Sequence, residues 1–191
     1  LRRYPNIELL TPSRNELNLT NSEDVNLWFK KNKPSIVIIS AARVGGISAN
    51  ATKPYDFILE NLKIQNNIIE SSWKYNAKRL LFLGSSCIYP KFSKQPIKED
   101  SLLQGELEPT NEFYALAKIA GIKLCESLRK QHSFDAICLM PCNLYGIGDN
   151  YHKYDSHVIP ALIRKISEAK EKRLEHITCW GSGYPLREFL Y

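Results

Sequence analysis

The feature that most narrows the fold is a regular alternation of short apolar, β-branched runs with longer amphipathic stretches. Residues 35–40 (SIVIIS), 80–85 (LLFLGS) and 134–140 (FDAICLM) are the strand-like runs. Unbroken runs of this kind suit strands of a parallel sheet, which helices cover on both faces. Residues 6–11 and 177–180 are further strand candidates. Between the runs lie four helical segments. Thr20-Asn21-Ser22-Glu23 has capping-box spacing and opens a helix to about Asn32, which Pro34 closes. Pro54 starts a helix to about Tyr75, with Phe57, Ile58, Leu62, Ile68 and Ile69 on its buried side. A third helix runs from Asn111 to about Lys130, apolar at Leu116, Ala120, Leu124 and Leu128, and a fourth covers residues 157–172. Residues 41–53, 86–111 and 141–156 read as loops. Strands alternating with helices predict an α/β fold: a doubly wound parallel sheet with helices on both faces.

Length allows one domain with a sizeable core, since the chain has 191 residues. No apolar run approaches the ~20 residues that a bilayer crossing needs, and residues 1–6, with Arg2, Arg3 and Pro5, hold no apolar signal core, so nothing suggests secretion. Cys87, Cys125, Cys138, Cys142 and Cys179 form no CxxC pair. They predict reduced thiols in a cytoplasmic protein, with no disulfide framework and no metal site. The net charge of +6 is spread among acidic residues, as in 165–175, which is the pattern of a solvated helix face rather than of a nucleic-acid binder. A positive field still draws in phosphate-bearing ligands. The chain starts without Met and stops in the strand-like Phe189-Leu190-Tyr191, so the expectation is a fragment truncated at both ends.

In sheets of this kind ligands sit beyond the carboxyl ends of the strands. That singles out the loops after Thr11, Ser40, Leu83, Met140 and Trp180. Tyr114 and Lys118 stand four apart, on one face of a helix. Composition alone would supply such a pair by chance; the context that lifts it is the preceding strand, which ends in Gly84-Ser85-Ser86-Cys87. A tyrosine hydroxyl titrates near ~10, and a neighbouring ammonium is expected to favour its phenolate. The Ser85 hydroxyl can hold both the tyrosine oxygen and a substrate oxygen. Together these three can move a proton while hydride moves to or from a carbonyl. A dinucleotide fold reads the adenosine ribose at the end of its second strand; there Arg14 stands with no Asp or Glu before Glu16, which favours the 2′-phosphate of NADP(H) over NAD.

Ser85 with Tyr114-x-x-x-Lys118 resembles the catalytic set of the short-chain dehydrogenase superfamily. Longer segments are similar to its GDP-L-fucose synthase family: Ala41-Ala42-Arg43-Val44-Gly45-Gly46-Ile47, Leu81 to Lys91, Leu107 to Asn111, Asn143-Leu144-Tyr145-Gly146, Ser156 to Leu162 and Trp180-Gly181-Ser182-Gly183. The resemblance covers nearly the whole chain. It implies a Rossmann-like NADP-binding domain over residues 1–191, with the substrate-binding part beginning at about 143. It also implies epimerisation of GDP-4-keto-6-deoxymannose at C3 and C5, then reduction at C4 with NADPH. Cys87 would be the base and His157 the acid of the epimerisation; both side chains titrate nearer neutrality than Ser or Lys. Tyr114 would protonate the C4 oxygen. Ala41, Ala42, Asn61, Leu83, Gly84, Ser85, Ser86, Pro141, Cys142, Asn143 and Leu144 would line the cofactor, with Lys118 on the nicotinamide ribose. His157, Lys165, Trp180 and Arg187 would meet the GDP-sugar, Arg187 as a diphosphate clamp. Lys165 stands where the family often has Arg and lacks its bidentate fork.

Family membership further implies a homodimer built on the helices from Pro54 and from Asn111, where Ala115, Ala117, Ala120 and Gly121 permit close packing. The Gly-rich pyrophosphate loop is expected upstream of Leu1, so the 191-residue polypeptide by itself is expected to bind NADPH poorly and turn over little. Rival readings are a nucleotide-sugar 4-epimerase or 4,6-dehydratase and a non-catalytic module of the same fold. A dehydratase would carry acidic and hydroxyl residues where Ser86-Cys87 stand.

Overall fold

The computed structural model describes residues 6–191 apart from Tyr154, Asp155, Trp180 and Pro185, and of Ser48 the backbone only. In chain order the elements are α1 (Ser22–Asn32), β1 (Ile36–Ile39), α2 (Ile47–Thr52), α3 (Pro54–Lys74), β2 (Arg79–Leu83), α4 (Glu112–His132), β3 (Ala136–Leu139), β4 (Asn143–Leu144), α5 (Val158–Glu171) and β5 (Phe189–Leu190). Strands β1, β2 and β3 pair in that order, all parallel, with Ile38 opposite Leu81 and Leu81 opposite Ile137. The long helices α3 and α4 make the two crossovers, as parallel pairing requires. A small second sheet pairs β4 with β5, also in parallel.

Side chains alternate across a strand, and here the alternation decides where the core lies. Val37, Ile39, Leu80, Phe82 and Ala136 point to one face, where they pack with Val25 and Phe29 of α1, Ile68 and Ile69 of α3 and Cys125 of α4. On the opposite face Ile36 is 63% exposed and Ile38 61%. The α/β Rossmann-like architecture is present, with α1, α3 and α4 packed on the first of these faces.

Several boundaries differ from the sequence reading for identifiable reasons. Residues 6–11 form no strand; no described strand lies beside them to complete a ladder, and Ile7 and Leu9 are exposed. Residues 177–179 likewise form none, and Trp180 lies outside the described residues. The loop at 41–53 contains α2, and the loop at 141–156 contains β4. The cap of α1 is Asn21, not Thr20: its side-chain oxygen accepts from the N–H of Glu23 at 2.9 Å and of Asp24 at 3.4 Å, the usual cap bonds. Lys33, at φ 43°, ends that helix in the left-handed conformation before Pro34 is reached.

The buried side of α3 is more polar than its pattern implies. Asn61, Gln65, Ser71 and Ser72 are buried beside Phe57, Ile68 and Ile69, while Ile58 and Leu62 are half-buried. On α4 the buried stripe is Ala115, Ala117, Lys118, Ile119, Gly121 and Cys125, and Leu116 and Ala120 face outward. Small residues bring α4 close enough for Gln65 of α3 to donate to the Ala117 carbonyl at 2.6 Å. Ala115, Ala117 and Gly121 are therefore buried within the chain and unavailable to a partner. No helix among the described residues is long and apolar enough to cross a membrane, and none of their His, Cys, Asp or Glu residues cluster as metal ligands.

Candidate functional site

Three parallel strands end on one edge, so the segments that follow them, beginning at Ser40, Gly84 and Met140, share that edge. There the structure brings together Ser85, Cys87, Tyr114 and Lys118. Ser85 opens a single 3₁₀ turn (Ser86–Ile88) directly after β2, and the Cys87 thiol folds back to donate to Ser85 Oγ at 3.2 Å. Tyr114 and Lys118 come from the first turns of α4. Lys118 is 4% exposed. Its ammonium donates to the Leu83 carbonyl at 2.7 Å, lies 4.9 Å above the Phe82 ring centroid and stands 5.7 Å from that of Tyr114.

The electrostatics correct one expectation. Burial pushes the Tyr114 phenol well above its ordinary value; a charged Cys87 would add to this, and hydrogen bonding with Ser85 offsets only part. Burial also pushes the Lys118 ammonium down, to about 8, and burial remains the dominant influence on the phenol. Cys87 is also raised, mainly by burial, with Ser85 and Lys118 pulling the other way. At neutral pH the site holds a phenol, a thiol and an ammonium: two proton donors beside a cation.

The loop after β1 forms the adjoining wall. Asn61 is 2% exposed and stands behind this loop, accepting from the Arg43 N–H at 2.9 Å and donating to the Arg43 and Phe57 carbonyls at 3.0 and 2.7 Å. Arg43 pairs with Asp56 at 3.2 Å and with Glu60, and its guanidinium lies over the Phe57 ring. In the sequence, Phe57 reads only as a buried helix position and Arg43 only as part of a family-like segment, neither as a site residue. The available signal was the i, i+4 pair of acids Asp56 and Glu60, which on one helix face requires a cation. A cavity of about 280 Å³ opens here, lined by Arg43, Val44, Gly45, Ala49, Lys53, Phe57 and Asn150.

The other expected residues fall as follows. Ala41, Ala42, Leu83, Pro141 and Cys142 are half-buried on the carboxyl edge, Gly84 is buried, and Ser86 and Leu144 are exposed there. Asn143 is committed to β5, its backbone and side-chain N–H groups both donating to the Glu188 carbonyl. His157 is the exposed N-cap of α5, and the Ser156 carbonyl beside it lies 3.7 Å from where a Cβ on Gly46 would stand. This sets the start of α5 against the loop after β1. Arg14 is exposed on the turn at 14–16. Lys165 donates to the Thr178 carbonyl at 2.8 Å, and Arg187 is exposed, donating to the Leu186 carbonyl at 2.8 Å. Trp180 lies outside the described residues. Cys125 and Cys138 meet in the core between α4 and β3, in keeping with a structural role.

A parallel sheet carrying a phenol, an ammonium, a hydroxyl and a thiol at its carboxyl edge defines an α/β protein of the Rossmann-like class. The chain belongs to the NAD dependent epimerase/dehydratase family, whose family model matches residues 2–191. It is 57% identical over 188 residues to a protein of Arabidopsis thaliana named putative GDP-L-fucose synthase 2, covering 98% of this chain and 57% of that one. It is 52% identical over 191 residues to the GDP-L-fucose synthase of Escherichia coli K12, covering 100% and 60%. Among solved structures, a GDP-D-glycero-L-gluco-heptose synthase of Campylobacter jejuni, determined with NADPH, superposes with a TM-score of 0.88 at 35% identity. That match covers 99% of this chain and 63% of the other. A GDP-L-fucose synthetase of Naegleria fowleri bound to NADP gives 0.83 at 29% identity, covering 95% and 59%. The chain thus spans less than two thirds of the length of these relatives.

Proposed function

We propose that the chain is the catalytic core of an NADPH-dependent epimerase–reductase that converts GDP-4-dehydro-6-deoxy-D-mannose to GDP-L-fucose. The observation that carries this reading is the meeting of Ser85, Cys87, Tyr114 and Lys118 at the end of β2, in a chain more than half identical to proteins named GDP-L-fucose synthase. The donor set suits the cofactor. Lys118 spends one of its three protons on Leu83, which leaves two for ribose hydroxyls, and the exposed Arg14 guanidinium suits a 2′-phosphate. NADPH, when bound, supplies the hydride that reduces C4.

The residues then divide the proton work. The 4-keto group acidifies the protons on C3 and C5, since loss of either leaves an enolate. At each centre one proton leaves from one face and one returns to the other, so composition is unchanged. Cys87 takes and His157 gives, and exchange with solvent restores both groups before the second centre is inverted. Cys87 rests as a thiol and must first ionise, and Lys118 is the cation that favours this. The reduction adds a hydride to C4 and a proton to its oxygen; Tyr114, held as a phenol by burial, is the donor, with Ser85 steadying the oxygen. General acid–base help of this kind is typically worth ~10²–10⁴-fold. Lys165, Trp180 and Arg187 hold the GDP moiety in this reading. The protein is cytoplasmic, in keeping with its unpaired cysteines, and a homodimer. The outward Phe113, Leu116 and Ala120 of α4, rather than the inward small residues, would form that contact.

The test is the full-length protein with NADPH and GDP-4-keto-6-deoxymannose in D₂O. Cys87→Ser should lower deuterium exchange at C3 and C5 more than NADPH oxidation. Equal loss of both overturns the division of labour, and a wild-type protein that makes no GDP-fucose by mass spectrometry overturns the function.

A further inference from the structure

We propose that Phe57 is a positioning residue for Tyr114, a wedge through which the loop after β1 fixes the direction of the tyrosine ring and keeps water from it. The proposal rests on the reading of Tyr114 as the proton donor of the reduction. Phe57 sits on α3 and is 2% exposed. Its ring meets that of Tyr114 edge-on, centroids 6.5 Å apart and planes at 76°, a geometry that restricts both rings.

The wedge is itself boxed in. Arg43 lies 5.5 Å from the Phe57 centroid and is anchored by Asp56 and Glu60 of the same helix. Asn61 pins the Arg43 backbone through both its N–H and its carbonyl. A Cβ on Gly45 would stand 3.0 Å from Ala49 Cβ and 3.2 Å from Phe57 Cζ, so the glycine lets the loop lie close against the ring. Around Tyr114 stand Ser85 and Cys87 from the turn after β2, Lys118 from its own helix, and from α3 the apolar Phe57 with the Arg43–Asp56–Glu60 network behind it. Phe57 sets an apolar ring edge among these polar and charged groups. Removing it admits water to the phenol, and solvation stabilises the phenolate.

The phenolate absorbance titration of Tyr114 tests this. It is isolated as the difference between a chain and its Tyr114→Phe counterpart, measured with Phe57, Phe57→Leu and Phe57→Ala. Phe57→Ala should move the titration down by about one unit or more, and Phe57→Leu, which fills space without a ring edge, by less. In the full-length enzyme kcat for reduction should fall while KM for NADPH holds. Should Phe57→Ala fail to fold, Phe57→Leu decides alone. A folded Phe57→Leu protein with an unmoved titration and unchanged kcat overturns the proposal. Full reduction by Tyr114→Phe would instead remove Tyr114 from the chemistry while the titration shift still reported the wedge.

Discussion

Gly121→Ala should destabilise the protein although it replaces a mid-helix glycine with the best helix former. A Cβ at position 121 would stand 2.6 Å from Phe82 Cζ, 2.9 Å from Phe82 Cε1 and 2.9 Å from Gln65 Oε1. Carbon atoms in good contact lie ~3.5–4.0 Å apart, so roughly an ångström must be found. Neither neighbour can give it. Phe82 is fully buried and carries the Lys118 ammonium over its ring, and Gln65 is tied by its 2.6 Å bond to the Ala117 carbonyl of the same helix. The propensity gain is about 1 kcal/mol, and overpacking costs ~1–3 kcal/mol. With two immovable neighbours the upper part of that range applies, leaving a net loss of about 1–2 kcal/mol. For a chain of this size the melting temperature should fall by about 2–8 °C. The assay is urea denaturation at constant m. A Gly121→Ala protein as stable as its parent, or more so, would refute the reasoning.

Asn61→Ala leaves the half-buried Arg43 N–H and carbonyl without their partner; at the low end of ~1–3 kcal/mol for each unsatisfied group, stability should drop by about 2 kcal/mol, and limited proteolysis should open residues 41–46. An unchanged urea midpoint with an uncut loop would contradict the clamp. Lys118 makes stability depend on pH with a definite sign. Its displacement from 10.5 to about 8 corresponds to ~3 kcal/mol of burial penalty, fully present below pH 8 and relieved as pH rises, because the folded state sheds its proton first. Cys87 and Tyr114, raised from 9.0 and 10.0, act oppositely at higher pH, so the clean window is pH 8–9. There stability should rise by about 1 kcal/mol, and Lys118→Met should abolish the rise; equal slopes in both proteins would contradict it.

What the sequence disclosed follows the physics of each signal. The strands β1, β2 and β3 and the helices α1, α3, α4 and α5 were legible because burial imposes periodicity on many residues at once. The pairing of Tyr114 with Lys118 was legible because helix geometry fixes it locally, and Ser85 because strand ends face the ligand edge. The cap of α1 shifted by one residue because Thr20 and Asn21 are both good caps and only backbone geometry chooses between them. The strand expected at residues 6–11 failed because an apolar run is a strand only where a neighbour completes its ladder. The protonation state of Tyr114 is less legible, for a different reason. Four-residue spacing puts Lys118 near the phenol, but it does not show how far burial raises the phenol and lowers the ammonium.

The least legible part of the molecule positions the site. The inner side of α3 carries Asn61, Gln65 and Ser72, which a hydrophobic pattern scores as a poor core. Each is buried, and each finds a backbone acceptor: Asn61 at Arg43 and Phe57, Gln65 at Ala117, Ser72 at Ile68. Apolar packing alone would let α4 slide along α3 at small cost, since dispersion has little directionality. A 2.6 Å bond from Gln65 to α4 and the paired bonds from Asn61 to the loop after β1 fix register as well as distance. Tyr114 and Lys118 ride on α4, and Arg43 and Gly45 on the loop. The polar side of α3 therefore holds both walls of the site to one frame, which burial area alone could not do.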